Sequence, residues 1–343
     1  MELNNLNYKE LSEFFTNIGE KEYRADQLFR YIHQQDGKKI EEFNLFPQKL
    51  RDKLISNHKI GSIKILQKYT SKLDDTVKYL FLLEDNNIIE GVVMKYPHGY
   101  SMCISSQVGC KMGCSFCAST KEGLIRNLSV YEMINQIYMA EGDLNIRISN
   151  IVLMGSGEPL DNYENVINFL KIINHKKGRN ISLRSITLST CGIVPRIYDL
   201  ADEQVPITLS VSLHSPFDDK RSLIMPIGKK YKLKDLIKAL HYYYEKTSRR
   251  ITFEYTVIEG VNDGQEEANE IARLTKGLGM HINLIPLNPI KEYDEKRPSK
   301  KIVELFEKKL INLGLQTTVR AEKGLDISAS CGQLRRSVLE DLK

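Results

Sequence analysis

The 343-residue chain reads as α/β: repeated strand–helix units that build an α/β barrel or part of one, preceded by a small mixed segment of helices and short β-rich runs. Three observations carry this reading. From residue 101 onward, runs rich in β-branched and aliphatic residues alternate with helical stripes. Gly, Pro, Asn and Ser punctuate those runs. The residues with the most chemistry fall just after the runs, where the loops of a parallel sheet gather.

The first helical stripe is Leu11, Phe14, Phe15 and Ile18, spaced i, i+3, i+4, i+7, and Leu28, Tyr31 and Ile32 repeat it. Short β-rich runs follow at 60–66, 77–83 and 88–94, broken by Asp74-Asp75 and by Asp85-Asn86-Asn87. Together they predict an accessory domain over residues 1–98. The remainder, 99–343, is predicted to be the core, with strands at 101–106, 150–154, 185–190, 207–213, 251–257 and 282–286. Helical stripes such as Val166, Phe169, Leu170 and Ile173 lie between them. No low-complexity tract and no solenoid-length repeat interrupts the pattern.

Composition is that of an ordinary globular chain, with 41% apolar and 27% charged residues. No apolar run approaches the ~18 residues that span a bilayer, so no membrane role is expected. Six cysteines without a secretory leader fit a reducing, cytoplasmic compartment. The net charge of +5, from 49 basic and 44 acidic residues, permits a polyanionic partner without requiring one.

Cys110, Cys114 and Cys117 stand at C-x-x-x-C-x-x-C spacing in SSQVGCKMGCSFCAST, with no fourth cysteine close by. Zinc would ask for a second pair, and the next histidine, His175, is far downstream. A disulfide framework suits short secreted chains, and electron-transfer ferredoxins supply four cysteines in close order. Three thiolates on a [4Fe–4S] cube leave one iron open to a small molecule. An open iron is a reaction centre.

The same run, with Phe116 before the last cysteine, resembles the signature of the radical S-adenosylmethionine (SAM) superfamily. The words CISSQVGC, RNLS, GEPL, SLHSP, MPI, GVND, NLIPLNP and DISASCGQLR resemble one family within it, from about Tyr23 to Arg336. That family is the RNA adenine C2-methyltransferases called RlmN, with the C8-methylating Cfr enzymes as close relatives. The resemblance implies a partial (β/α)6-type radical SAM barrel, a [4Fe–4S] cluster on Cys110, Cys114 and Cys117, and SAM on the open iron. It places Gly157 and Glu158 at the methionine end of SAM, with Ser189, Ser212, Leu213, His214 and Asn288 around the rest. Read alone, GxGE is better explained as a tight strand-to-helix turn, and His214 as a satisfied histidine at a strand end.

By resemblance, Cys331 is first methylated by one SAM. A radical from a second SAM then removes hydrogen from that methyl group, and the carbon radical adds to the adenine ring. Cys103 afterwards attacks the Cys331 sulfur, releasing the methylated base and leaving a disulfide for reduction. Glu90 takes the place of the family's proton acceptor, although a lone strand carboxylate is otherwise a solvated one. The implied substrates are an adenosine in the peptidyl transferase loop of 23S rRNA and one just 3′ of the anticodon in tRNA. An electron donor such as flavodoxin or ferredoxin is implied as well.

Two positions depart from the family pattern. Ser156 stands where an apolar residue is usual within GxGE, and Cys191 where serine or isoleucine is common; a small buried thiol explains the latter. Basic runs at 175–179, 229–232, Arg249-Arg250 and Arg335-Arg336 offer phosphate contacts, each by itself also an ordinary solvated face. A noncatalytic iron–sulfur or zinc RNA-binding module remains the reading from another class, and it would yield no 5′-deoxyadenosine.

Overall fold

The structure, a computed structural model, describes residues 1–334. Arg335 and Arg336 lie outside the described residues. Helix α1 (Tyr8–Asn17) begins at Asn7, whose side chain accepts from the Glu10 N–H at 3.1 Å while the Glu10 carboxylate accepts from the Asn7 N–H at 2.9 Å. It packs on α2 (Tyr23–Gln34), and α3 (Gln48–Ile55) follows. Each helix buries one apolar stripe, with Leu11 and Phe15, then Leu28, Phe29 and Ile32, then Leu50 and Leu54 joining the main core.

Strands β1 (Lys64–Thr70), β2 (Val77–Leu82), β3 (Ile88–Tyr96) and β4 (Gly99–Cys103) form an antiparallel meander. The run expected as a strand at 60–66 becomes one only at Lys64. Ile60 and Ile63 are apolar because they enter the core beside a helix: the Gly61 carbonyl accepts from the Asn4 and Asn135 side chains at 2.8 and 3.0 Å. After β4 a ribbon of β5 (Gln107–Gly109) and β6 (Leu124–Asn127) brackets the cysteine loop, and α4 (Val130–Leu144) leads to β7 (Ile148–Leu153).

Strand–helix units then repeat: α5 (Tyr163–Ile173), β8 (Ile186–Thr190), α6 (Val194–Asp202), β9 (Thr208–Ser212), α7 (Asp218–Ile224), α8 (Ile227–Lys230), α9 (Leu233–Thr247) and β10 (Ile251–Val257). The series ends with α10 (Gln265–Leu274), β11 (Met280–Pro286), α11 (Lys300–Asn312) and β12 (Thr317–Val319). β4 and β7 to β12 pair in parallel, so all six expected core strands are present and β12 adds a short seventh. β10 is buried on both faces, Phe253, Tyr255 and Val257 on one and Thr252, Glu254 and Thr256 on the other, as a central parallel strand requires.

The meander and the parallel strands are one ten-stranded sheet, ordered β1-β2-β3-β4-β7-β8-β9-β10-β11-β12. Its ends, β1 and β12, stay apart, which makes a partial barrel. The division expected between residues 98 and 99 falls in the turn joining β3 to β4, inside this sheet.

The basic run at 175–179 docks the N-terminal helices instead of facing phosphates. Lys177 Nζ lies 2.6 Å from Asp26 Oδ1 and donates to the Tyr8 hydroxyl at 2.7 Å, and His175 stacks on Tyr8 at 4.7 Å. Arg179 is buried, 3.0 Å from Glu141 Oε2, and also donates to the Gln34 carbonyl at 3.1 Å. Only Lys176 of this run's cations is exposed. Arg179→Ala, which strands Glu141 without its cation, should cost on the order of 3 kcal/mol, read as a lower urea midpoint.

His33, buried between Phe29 and Tyr138, keeps its Nδ1 3.1 Å from the Tyr138 hydroxyl. Burial, then the nearby Arg179 charge, pushes its pKa from 6.5 down to about 3. Between those values the unfolded chain binds a proton that folded His33 refuses, so stability falls as pH drops through the window. His33→Gln should flatten the plot of unfolding free energy against pH there by up to about 1.4 kcal/mol per pH unit. An unaltered slope in denaturant titrations at stepped pH would refute the assignment.

Candidate functional site

Loops at the carboxyl ends of the parallel strands surround a cavity of about 150 Å³. The cysteine loop forms one wall. The Cys110 N–H donates to the Gly123 carbonyl at 3.1 Å, and the Thr120 hydroxyl to the Cys117 carbonyl at 3.0 Å, so the loop closes on itself. From outside, the Ile224 carbonyl accepts from the Ser115 N–H at 2.9 Å. Cys110, Cys114 and Cys117 all line the cavity as free thiols.

Burial raises all three thiol pKa values, that of Cys110 to about 12, so they await a metal to draw off their protons. No three His, Cys, Asp or Glu side chains among the described residues are grouped to hold a single metal ion. Three thiols that line one cavity would serve as three corners of a cluster. A second observation agrees. Arg221, fully buried on α7, donates to the carbonyls of Cys191, Leu213 and Ser212 at 2.7, 3.2 and 3.2 Å, yet its Nη1 has no partner. The Cys191 and Cys114 sulfurs act on it electrostatically, so this cation would gain a partner once cluster binding turned neighbouring thiols into thiolates.

After β7 comes Gly155-Ser156-Gly157-Glu158. A Cβ on Gly155 would stand 2.7 Å from the Ile104 and Ser105 backbone, and Gly157 has φ +107°, so side chains are excluded at both. Ser156 is part of the weave: its N–H donates to Ser105 Oγ at 2.9 Å. Glu158 is 3% exposed, and its two oxygens accept from the Leu160 and Cys191 N–H groups at 3.0 and 2.7 Å. Burial pushes its carboxyl pKa up against these bonds. A spare lone pair on each oxygen leaves room for an ammonium donor.

Ser189 and Ser212, from the ends of β8 and β9, line the same cavity. His214 lines it too, at φ +53°, its Nδ1 accepting from the Thr256 N–H at 2.8 Å. Burial holds its pKa down near about 3, so the ring is neutral and its proton sits on Nε2, a donor. Asn288 donates to the Cys331 carbonyl at 3.0 Å, while its buried Oδ1 has no partner and offers an acceptor. Leu213 is the exception. Its side chain is buried away from the cavity lining, and only its backbone serves, through Glu254 and Arg221.

A second cavity of about 40 Å³ adjoins the first, and Cys331 lines both. Cys103, at the end of β4, lines the second. Burial, then the neighbouring Cys331, pushes the Cys103 thiol up to about 12, against the pull of Arg320. The segment bearing Cys331 is pinned by several hydrogen bonds. Asp326 accepts from Ser71 Oγ at 2.7 Å and from the Lys72 N–H at 2.9 Å; the Gly332 carbonyl accepts from the Ala118 N–H at 2.8 Å; Asn288 holds Cys331 itself. Glu90 is not among the residues lining either cavity. It is 2% exposed on β3, 3.7 Å from Lys78 Nζ, and shares a strand face with Val92 and Met94, which do line the second.

Arg221, Arg320 and Glu254 carry no spacing signal and were invisible to sequence reasoning. Arg320 lines both cavities, its charge strengthened chiefly by Cys331. Glu254, 4% exposed on β10, accepts from Ser210 Oγ at 2.6 Å and Asn283 Nδ2 at 2.8 Å. Cys191, buried as expected of a small thiol, also lines the cavity and positions Glu158 through its backbone.

Known proteins resemble this chain in sequence and fold. Residues 1–60 match the family model of the ribosomal RNA large subunit methyltransferase N-terminal domain, and residues 104–274 that of the radical SAM superfamily. A relative from Alkaliphilus oremlandii (strain OhILAs), a probable dual-specificity RNA methyltransferase RlmN, is 53% identical over 341 residues, 99% of each chain. One of the same name from Clostridioides difficile (strain 630) is 50% identical over 334 residues, 97% of each. The crystal structure of a radical SAM methyltransferase from Sphaerobacter thermophilus superposes with a TM-score of 0.92 at 41% identity, covering 98% of this chain and 99% of that one. Radical SAM enzymes use a [4Fe–4S] cluster and SAM, and the thiol wall, the orphan Arg221 nitrogen and the unpaired Asn288 oxygen fit both. With near-complete coverage at about half identity, the chain belongs to the RlmN family of radical SAM RNA methyltransferases.

Proposed function

We propose that the protein methylates C2 of adenosine in the peptidyl transferase loop of 23S rRNA and 3′ of the anticodon in tRNA, carrying the methyl group on Cys331. The observation that supports this most is that Cys331 borders both cavities, one with the three-thiol wall and the other with Cys103. When bound, the cluster and SAM supply the methyl group and the radical that activates it. Cys110, Cys114 and Cys117 hold the cluster. Gly157 and Glu158 take the ammonium end of SAM, and Ser189, Ser212, His214, Asn288 and the Leu213 backbone take the rest.

Cys331 sulfur accepts the methyl group and presents it to an adenine flipped out of its stack. Once C2 is bonded to that carbon, the C2 proton leaves to a base, for which Glu90 is the nearest carboxylate on the strand beneath the second cavity. Cys103 then attacks Cys331 sulfur: the S–S bond forms, the S–C bond breaks, and the freed carbon takes up a proton to complete the methyl group. The unpaired electron left by the radical addition returns to the one-electron carrier, and the methylated base departs. An external dithiol returns the disulfide to two thiols. The electron for SAM cleavage comes from a flavodoxin or ferredoxin, and the work is done in the cytoplasm beside both RNAs.

Cys331→Ala should abolish methylated product from reconstituted enzyme, SAM and unmodified RNA. Cys103→Ala should leave RNA covalently attached to Cys331, seen as a mass-shifted protein band that nuclease trims. Product with its methyl on C8, by fragmentation of the nucleoside, would overturn the regiochemistry, and full C2 methylation by Cys331→Ala the whole route.

A further inference from the structure

Of the basic runs in this chain, the one at 229–232 is left uncommitted. Lys229, Lys230 and Lys232 are exposed, and none has an acidic partner among the described residues. From 223 to 238 the sequence carries five lysines, at 229, 230, 232, 234 and 238, against the single Asp235. Beside them stands Leu223, 80% exposed, the most exposed large apolar side chain described, with Pro226 also exposed. A protruding leucine on α7, with a lysine-rich run on and after the adjoining α8, suits a protein face that is apolar at its centre and acidic at its rim.

Its position matters more than its composition. Ile224 holds the Ser115 N–H, and Pro226 lies 3.3 Å from where a Cβ on Gly113 would be. Ile224 and Met225 pack directly on Cys110, Met112 and Cys191. Leu223 is therefore no more than roughly 15 Å from Cys114 along a path of one hydrogen bond and two peptide units. This face backs the outer side of the cysteine loop, whereas Asn288, Arg320 and Cys331 border the cavity on the inner side. An electron can enter here while RNA occupies the other side. RNA would be served by the lysines but gains nothing from an exposed leucine.

We infer that the face formed by Leu223, Pro226, Lys229, Lys230 and Lys232 docks an acidic, low-potential one-electron carrier protein and is the entry point for electrons to the cluster. The inference rests on the reading that a carrier protein is the reductant. The carrier loses one electron, the cluster gains it, and no atom or proton changes hands. Lysines draw the acidic carrier in, and Leu223 supplies the dry contact that holds it against the loop.

The test uses reconstituted holoenzyme and reduced flavodoxin, with cluster bleaching followed by stopped flow and flavodoxin affinity measured separately. Lys229→Glu with Lys230→Glu, and separately Leu223→Glu, should each slow flavodoxin-driven bleaching about tenfold at low salt and weaken flavodoxin binding in step. Bleaching by dithionite, iron content and affinity for unmodified tRNA should match the parent, which also shows that the variants fold. Flavodoxin-driven rates equal to the parent's, or a loss of tRNA affinity, would overturn the assignment. Should the parent itself be bleached by dithionite but by neither flavodoxin nor ferredoxin, the reading of a protein reductant fails first, before any variant is made.

Discussion

Arg221 holds the ends of β8 and β9 together from inside the protein. Parallel strands leave carbonyls at their tips that no neighbouring strand can use, and in a site these must be satisfied without filling the cavity. One guanidinium collects those of Cys191, Ser212 and Leu213, and so fixes the turns that carry Glu158's backbone donor and the cavity-lining Ser212 and His214. Burying an unpaired cation is expensive. The site is thus assembled around a positive charge whose natural complement is an anionic cluster ligated by thiolates.

The accessory segment does more than decorate the barrel. Its meander runs through β3 and β4 into the parallel sheet, so the strand that ends in Cys103 pairs with the meander on one edge and with β7 on the other. Glu90, Cys103 and the GxGE turn are therefore fixed in one hydrogen-bonded frame, reinforced where Ser105 Oγ bridges the Glu90 carbonyl and the Ser156 N–H. A parallel strand needs a long crossover to reach its neighbour; an antiparallel one needs only a turn, which is how 98 residues of accessory chain deliver a thiol directly to the active face.

Apolar period and punctuation reveal the six parallel strands because each buries at least one apolar face, β7, β8 and β11 in alternation and β10 along its whole length. The same signal misplaces the first meander strand, since Ile60 and Ile63 are apolar for the sake of a helix, and it passes over Thr317–Val319, three residues of no distinctive pattern. The cysteine triad and the GxGE turn are legible because their chemistry demands short spacing. Arg221 and Arg320 are not, because their partners lie 8 to 166 residues away and are chosen by topology. The run at 175–179 looks like an RNA contact only until its partners Asp26, Asp36 and Glu141 come into place.

The tether of Cys331 is polar almost throughout. Asp326 to Ser71 and Lys72, Gly324 to Asp74, and Gly332 to Ala118 are single hydrogen bonds, with Leu334 as its one buried apolar foot. Each bond contributes about 1 kcal/mol, so this stretch detaches at a cost far below that of unfolding the sheet beneath it. The segment that bears Cys331 is moored like a boat, by lines that can slip one at a time, beside a quay of strands bound together by a full ladder.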